Sequence, residues 1–167
     1  CAIALMMFTS RMREISKQAK YGHLAERVLY NSMLSSTSLD GKAFFYENPL
    51  EIALEEKDRE VAAPVAKRER LPITQRVEVF GCSCCPPNIN RLTSSMERFV
   101  YRLQNDTCYV DQYMSSTLKT DTVTVTVETA YPAEGVIKVN ATGVDKIALR
   151  IPGWCRSFTL NVPYTMD

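Results

Sequence analysis

The residues best suited to chemistry lie in the run GCSCCPPN, Gly81 to Asn88, where Cys82, Cys84 and Cys85 fall within four positions. A thiolate is both a nucleophile and a ligand for zinc, and a bound cation or a helix N-terminus favours that form over the thiol. Vicinal Cys84 and Cys85 could join in a disulfide only through a strained eight-membered ring. Metal binding or thiolate chemistry is therefore the more natural use of the pair, and it favours a reducing compartment. Buried structural thiols are the plainer alternative. The run does not have the paired C-x-x-C spacing of a zinc ribbon.

Those cysteines must be positioned by regular elements. Pro86-Pro87-Asn88 suits a helix start, and Ile89, Leu92, Met96, Phe99, Val100 and Leu103 recur every three or four residues, so the spacing predicts one amphipathic helix from that point to about Leu103. Upstream, residues 2 to 18 and Tyr21 to Leu34 show helical patterns, the second ended by the Ser35 to Ser38 run. Ala43 to Tyr46 reads as extended. The charge-dense 51–75 region, with EEKDRE and KRER, reads as a solvated loop. After about Asn105 the period changes to two, most plainly in TVTVTVE from Thr122 to Glu128. Thr107 to Met114, Val136 to Ala141, Lys146 to Ile151 and Ser157 to Asn161 are further strand candidates. The predicted organisation is a helical part, 1–105, and a strand part, 106–167.

Composition removes whole classes of function. Twenty Lys and Arg balance 19 Asp and Glu to a net charge of +1, which provides no field to hold nucleic acid. The longest apolar run, Ala2 to Phe8, is far short of the roughly 20 residues of a membrane span. A hydrophobic content of 46% is that of a core-forming protein. The sequence opens on Cys1 in mid-pattern and reads as a fragment of a longer protein.

Four segments in order carry a resemblance: Cys1-Ala2 leading to Arg11-Met12, KYGHLAERVLYN (Lys20 to Asn31), LDGKAFFYENPLE (Leu39 to Glu51) and CCPPNINR (Cys84 to Arg91). Together they resemble glycoside hydrolase family 127, the β-L-arabinofuranosidases. The resemblance implies an α + β multidomain fragment: the last helices of an (α/α)6 barrel followed by a portion of an antiparallel β-sandwich. It implies zinc held by one glutamate and three cysteines, with Cys1, Cys84 and Cys85 as the cysteine ligands. Cys84 is then the nucleophile of a retaining glycosidase that releases terminal β-L-arabinofuranosyl residues from an oligosaccharide or glycan, and Glu26 and Tyr46 face the sugar. Two plainer roles stand beside these, an ion pair with an Arg for Glu26 and a packed aromatic for Tyr46. The family's zinc-binding and acid/base glutamates precede the position of Cys1, so the 167-residue chain alone is expected to be inactive. From another class, a non-catalytic, zinc-stabilised carbohydrate-binding or structural module would fit the same residues. Homo-oligomerisation through the sandwich or through regions outside this chain is left open. Cys82 is expected to be a spectator, Cys108 and Cys155 core or half-buried thiols, the lone His23 a surface residue, and Trp154 a packing residue or a sugar platform.

Overall fold

The computed structural model describes residues 2–45, 76–78 and 84–166. The predicted charged loop, 51–75, lies outside them, as do Cys1, Tyr46 and Cys82. Helix α1 spans Ala2–Ile15 and α2 spans Lys20–Val28. A π-helical turn, Leu29–Met33, and a 3-10 turn, Leu34–Ser36, continue α2. Ser35, Ser36 and Thr37 then turn their hydroxyls back onto the carbonyls of Asn31, Met33 and Leu34. That competition with the backbone ladder is why the hydroxyl-rich run stops the helix. Helix α3 is Cys85–Thr93 and α4 is Glu97–Val100.

The single helix predicted to reach Leu103 does not form. Thr93 and Ser95 hydroxyls bond back to Ile89 and Arg91 and break it after α3. Tyr101–Gln104 is strand β1, paired antiparallel with β2, Thr107–Val110, through a turn in which Asn105 takes φ 52°. Asn tolerates that left-handed conformation, so Asn105-Asp106 can close a two-residue hairpin. Leu103 thus satisfies a helical spacing by chance while its strand partner, Cys108, decides its conformation. The remaining strands are β3 (Ser116–Lys119), β4 (Thr124–Thr129), β5 (Ile137–Thr142) and β6 (Lys146–Leu149). Strand β3 was not foreseen, and the predicted strand Ser157 to Asn161 is irregular backbone.

Two compact units result. The first comprises the described residues of Cys1–Arg11 and Leu24–Met96, the second Met12–His23 with Glu97–Asp167. In the first, Met6 and Leu92 are fully buried with Ala25, Val28, Leu29, Met33 and Phe44. Phe44 exchanges both backbone hydrogen bonds with Val77, at 3.0 and 2.9 Å.

The second unit holds two three-stranded sheets, ordered β1-β2-β6 and β3-β4-β5. All pairs are antiparallel except β2 with β6, which is parallel, so the first sheet is mixed where a purely antiparallel one was predicted. The middle strand of each sheet supplies fully buried side chains at alternate positions, Cys108 and Val110 on β2 and Val125 and Val127 on β4. The Tyr101 hydroxyl reaches Ser116 on β3, joining the two sheets.

A helical segment, Met12–His23, belongs to this strand-rich unit because buried polar contacts hold it there. The Arg13 guanidinium is bonded by two nitrogens to the Asp111 carboxylate, with Nε at 2.9 Å. Arg102 Nε stands 3.9 Å from the same carboxylate, its guanidinium 3.7 Å from the centre of the Tyr109 ring. Arg150 Nε donates to the Asp111 carbonyl at 2.5 Å. Burial, followed by repulsion from Arg102 and Arg150, pushes Arg13 down to about 10. Gln112 Nε2 donates to the Gly22 carbonyl at 2.9 Å, and His23 Nε2 to the Ile151 carbonyl at 2.9 Å. His23 is therefore half-buried, not the surface residue its place on a polar helix face predicted.

Candidate active site

The CCPP run folds locally as its residue types require. Cys84 takes φ −75° and ψ −24° as the residue that leads into α3, and Cys85, Pro86 and Pro87 form the first turn. Proline has no amide hydrogen and a fixed φ, both compatible with the first turn of a helix, where amides have no intrahelical acceptor. The Asn88 side-chain amide donates to the Cys84 carbonyl at 3.0 Å and ties the turn to the residue before it. The outcome is an exposed Cys84 and a half-buried Cys85 at the N-terminal end of a nine-residue helix. The helix dipole there favours negative charge.

The two sulfurs are 4.0 Å apart. That is about twice the roughly 2.05 Å of a disulfide. Two sulfurs on one tetrahedral zinc, each about 2.3 Å from the metal, would be separated by about 3.8 Å. The donor type and the spacing of Cys84 and Cys85 thus fit two corners of a zinc site. Among the described residues no group of three or more His, Cys, Asp or Glu is assembled to hold a metal.

Glu26 lies on α2, one turn after Gly22, and is buried at 7% exposure. Glu26, Cys84 and Cys85 all belong to the first compact unit. Of the other cysteines, Cys108 is buried, and burial pushes its thiol above the ordinary value, while Cys155 is half-buried with its thiol 3.1 Å from the Ser157 carbonyl. Trp154 is 63% exposed and stacks on Tyr131, ring centres 6.1 Å apart.

A likeness to known proteins extends over both parts of the chain. Residues 1–98 match the family model described as the β-L-arabinofuranosidase GH127 catalytic domain, and residues 107–164 match that of the GH127 middle domain. The chain belongs to glycoside hydrolase family 127. A relative, the non-reducing end β-L-arabinofuranosidase of Bifidobacterium longum subsp. longum, is 33% identical over 97% of this chain and 25% of its own length. The crystal structure of a GH127 β-L-arabinofuranosidase from Geobacillus stearothermophilus T6 superposes with a TM-score of 0.73 at 36% identity, covering 93% of this chain and 25% of that one. A structure described as a glycoside hydrolase gives 0.74 at 36% identity, covering 93% and 26%. The chain thus spans about a quarter of the length of the relatives it matches. Among its described residues no helix is long and apolar enough to cross a membrane.

Sequence reasoning did not single out Arg13, Asp111, Gln112 or Arg150. Each is an ordinary polar residue in the sequence, and only partners up to 98 positions away give it a role. The signal available was two successive polar residues, Asp111-Gln112, directly after the alternating strand β2, where solvent exposure would be the default.

Proposed function

We propose that the protein containing this chain is a zinc-dependent, retaining β-L-arabinofuranosidase with Cys84 as its nucleophile. The supporting observation is the match to the GH127 catalytic and middle domains in order, with the vicinal cysteines at the start of α3. In this reading the helices close an (α/α)6 barrel with residues outside the chain, and the strand-rich unit is part of a β-sandwich.

Cys1, Cys84 and Cys85 would hold the metal together with a glutamate preceding Cys1. When bound, zinc would supply a positive charge that keeps sulfur as thiolate at neutral pH. Cys84 Sγ attacks the anomeric carbon of a terminal β-L-arabinofuranosyl residue as the bond to the leaving oxygen breaks, and that oxygen takes its proton from an acid outside this chain. Water then attacks the anomeric carbon of the thioglycosyl intermediate and gives a proton to the conjugate base of that acid, as the C–S bond breaks to regenerate the thiolate and release arabinose. Two inversions at one carbon give net retention. Glu26 and Tyr46 orient the sugar through its hydroxyls. The substrate is a glycan with a non-reducing arabinofuranosyl end.

The test is hydrolysis of an aryl β-L-arabinofuranoside by the full-length protein. Cys84→Ser is expected to abolish turnover, and native mass spectrometry should find one zinc, with Cys1, Cys84 and Cys85 protected from alkylation. Sugar binding without turnover in the wild-type protein would instead establish a non-catalytic module. Undiminished turnover in Cys84→Ser would remove Cys84 from the chemistry.

A further inference from the structure

The residue before a helix ordinarily caps it: its backbone is extended, and its polar side chain accepts from the amide of the second or third helical residue. Cys84 holds that place before α3 and does neither. Its φ of −75° and ψ of −24° are helical, and its side chain makes no capping hydrogen bond. The cause is in the residues that follow. Cys85, Pro86 and Pro87 are the first, second and third residues of α3, so the two that would donate are prolines, which have no amide hydrogen. The extended conformer of Cys84 therefore has no such bond to gain, and nothing draws the sulfur over the end of the helix.

The Cys84 carbonyl is anchored to the same helix. It accepts from the Asn88 side-chain amide at 3.0 Å, and as the carbonyl that precedes α3 it also accepts the first intrahelical bond, from the backbone amide of Asn88. With that peptide plane fixed, ψ of Cys84 decides where its side chain points. At −24° Cys84 is exposed and its sulfur is 4.0 Å from that of Cys85. At an extended value the sulfur would instead lie over the amides of the first turn. The two positions differ in chemistry. A thiolate that accepts amide hydrogens is stabilised, and those bonds weaken as its electron pair is committed to carbon, so attack is slower. When the sulfur leaves carbon the same bonds assist it.

We infer that Pro86 and Pro87 are positioning residues for the nucleophile: by withholding two amide hydrogens they keep Cys84 out of the capping conformer and its sulfur available for attack. The catalytic half of this inference rests on the reading of Cys84 as nucleophile, whereas the conformational half does not. In the step concerned, the Sγ electron pair forms the bond to the anomeric carbon while the pair of the glycosidic C–O bond leaves with its oxygen, which is protonated by an acid outside this chain. Pro86→Ala and Pro87→Ala each restore one donor, and alanine is the best helix former, so α3 persists in both. An amide bonded to the Cys84 sulfur should exchange its hydrogen about tenfold more slowly than the same amide without that acceptor. Giving up a hydrogen bond to a charged sulfur should slow formation of the thioglycosyl adduct by roughly 10- to 100-fold, with breakdown of the adduct no slower.

The experiment uses the full-length protein as wild type, Pro86→Ala and Pro87→Ala, and each alanine variant again in a Cys84→Ala background. Mass-spectrometric hydrogen exchange, resolved to single amides, follows the introduced amide. Rapid quench with an aryl β-L-arabinofuranoside, read by intact mass, gives the rate constants for formation and breakdown of the covalent adduct. Protection of the introduced amide that disappears with Cys84→Ala, together with slower formation and undiminished breakdown, in either variant, supports the inference. Equal exchange with and without Cys84 in both variants overturns the conformational half. Protection with both rate constants unchanged overturns the catalytic half, and so does slowing of both steps alike, the mark of a merely misplaced site. A smaller adduct amplitude with unchanged rate constants assigns the prolines to folding alone and overturns it as well. Absence of any adduct in the wild type would overturn the nucleophile reading and with it the catalytic half, while the exchange result still decides the conformational one.

Discussion

Asp111→Asn removes the charge against which Arg13 is held and leaves the side-chain shape almost unchanged. The Arg13 and Asp111 side chains are 8% and 9% exposed, so water screens the pair little. Arg102 and Arg150 remain beside it, and Arg13, already pushed down to about 10 by burial and then by repulsion from these two guanidiniums, faces them without the carboxylate. Breaking a buried pair by removing one partner costs about 3–5 kcal/mol. For a chain of this size, where 1 kcal/mol moves Tm by about 2–4 °C, the expected fall is roughly 6–20 °C. Trp154, the sole tryptophan, lies in the same unit, so its fluorescence during urea unfolding reports this loss locally, with far-UV circular dichroism as the second probe. The partner variant Arg13→Met, combined with Asp111→Leu, removes both charges and should recover part of the stability lost by either change alone. A cost below about 1 kcal/mol for Asp111→Asn, well under the range for a broken buried pair, would refute the reasoning. So would a double variant no better than the sum of the singles.

Gly22→Ala gains about 1 kcal/mol of intrinsic helix preference, yet its Cβ would stand 2.5 Å from Arg150 Cδ, and overpacking typically costs about 1–3 kcal/mol. Net destabilisation in urea is expected, and a stabilised variant would show that Arg150 yields. Gly143 has φ 79°, and an added Cβ there would collide with the Thr122 carbonyl oxygen, which is backbone and cannot turn aside. Gly143→Ala should lose about 1–3 kcal/mol or more, read as a lower thermal midpoint. Burial raises the Cys108 thiol above its ordinary 9.0, so above that pH the unfolded chain releases a proton that the folded chain keeps. Stability should therefore decline as pH climbs past 9.0, and Cys108→Val should flatten that part of the profile measured by urea midpoints.

The sequence was most legible where one short-range pattern determines the outcome. The alternation from Thr122 to Glu128 became β4 because valines at every second position bury one face. The serine run ended the second helix because its hydroxyls reach local carbonyls. Pro86 and Pro87 marked a helix start through their own covalent geometry. Legibility failed where distant partners decide. Tyr101–Gln104 carried a helical spacing but pairs with Thr107–Val110, and β6 joins β2 in parallel across some 40 residues, a pairing no local pattern encodes. The vicinal cysteines stand out in the sequence because their chemistry is local, whereas the Gln112 contact with Gly22 spans 90 positions and left no trace in composition or period.

The placement of Met12–His23 in the strand-rich unit bears on how such proteins can be recombined. Chain order runs from the first unit to the second, back to the first and again to the second, so each unit is assembled from two separate stretches of chain. An exchange made at the helix-to-strand junction would bring in a foreign Asp111 and Ile151 while retaining the resident Arg13 and His23. The newcomer would arrive with half of each contact, and a mismatch would leave a buried charge alone. Catalytic and middle domains built on this plan should therefore be inherited as a matched pair, with residues 12–23 varying in concert with the strands they serve. A successful graft from a relative must carry that short helical passage along with the sheets.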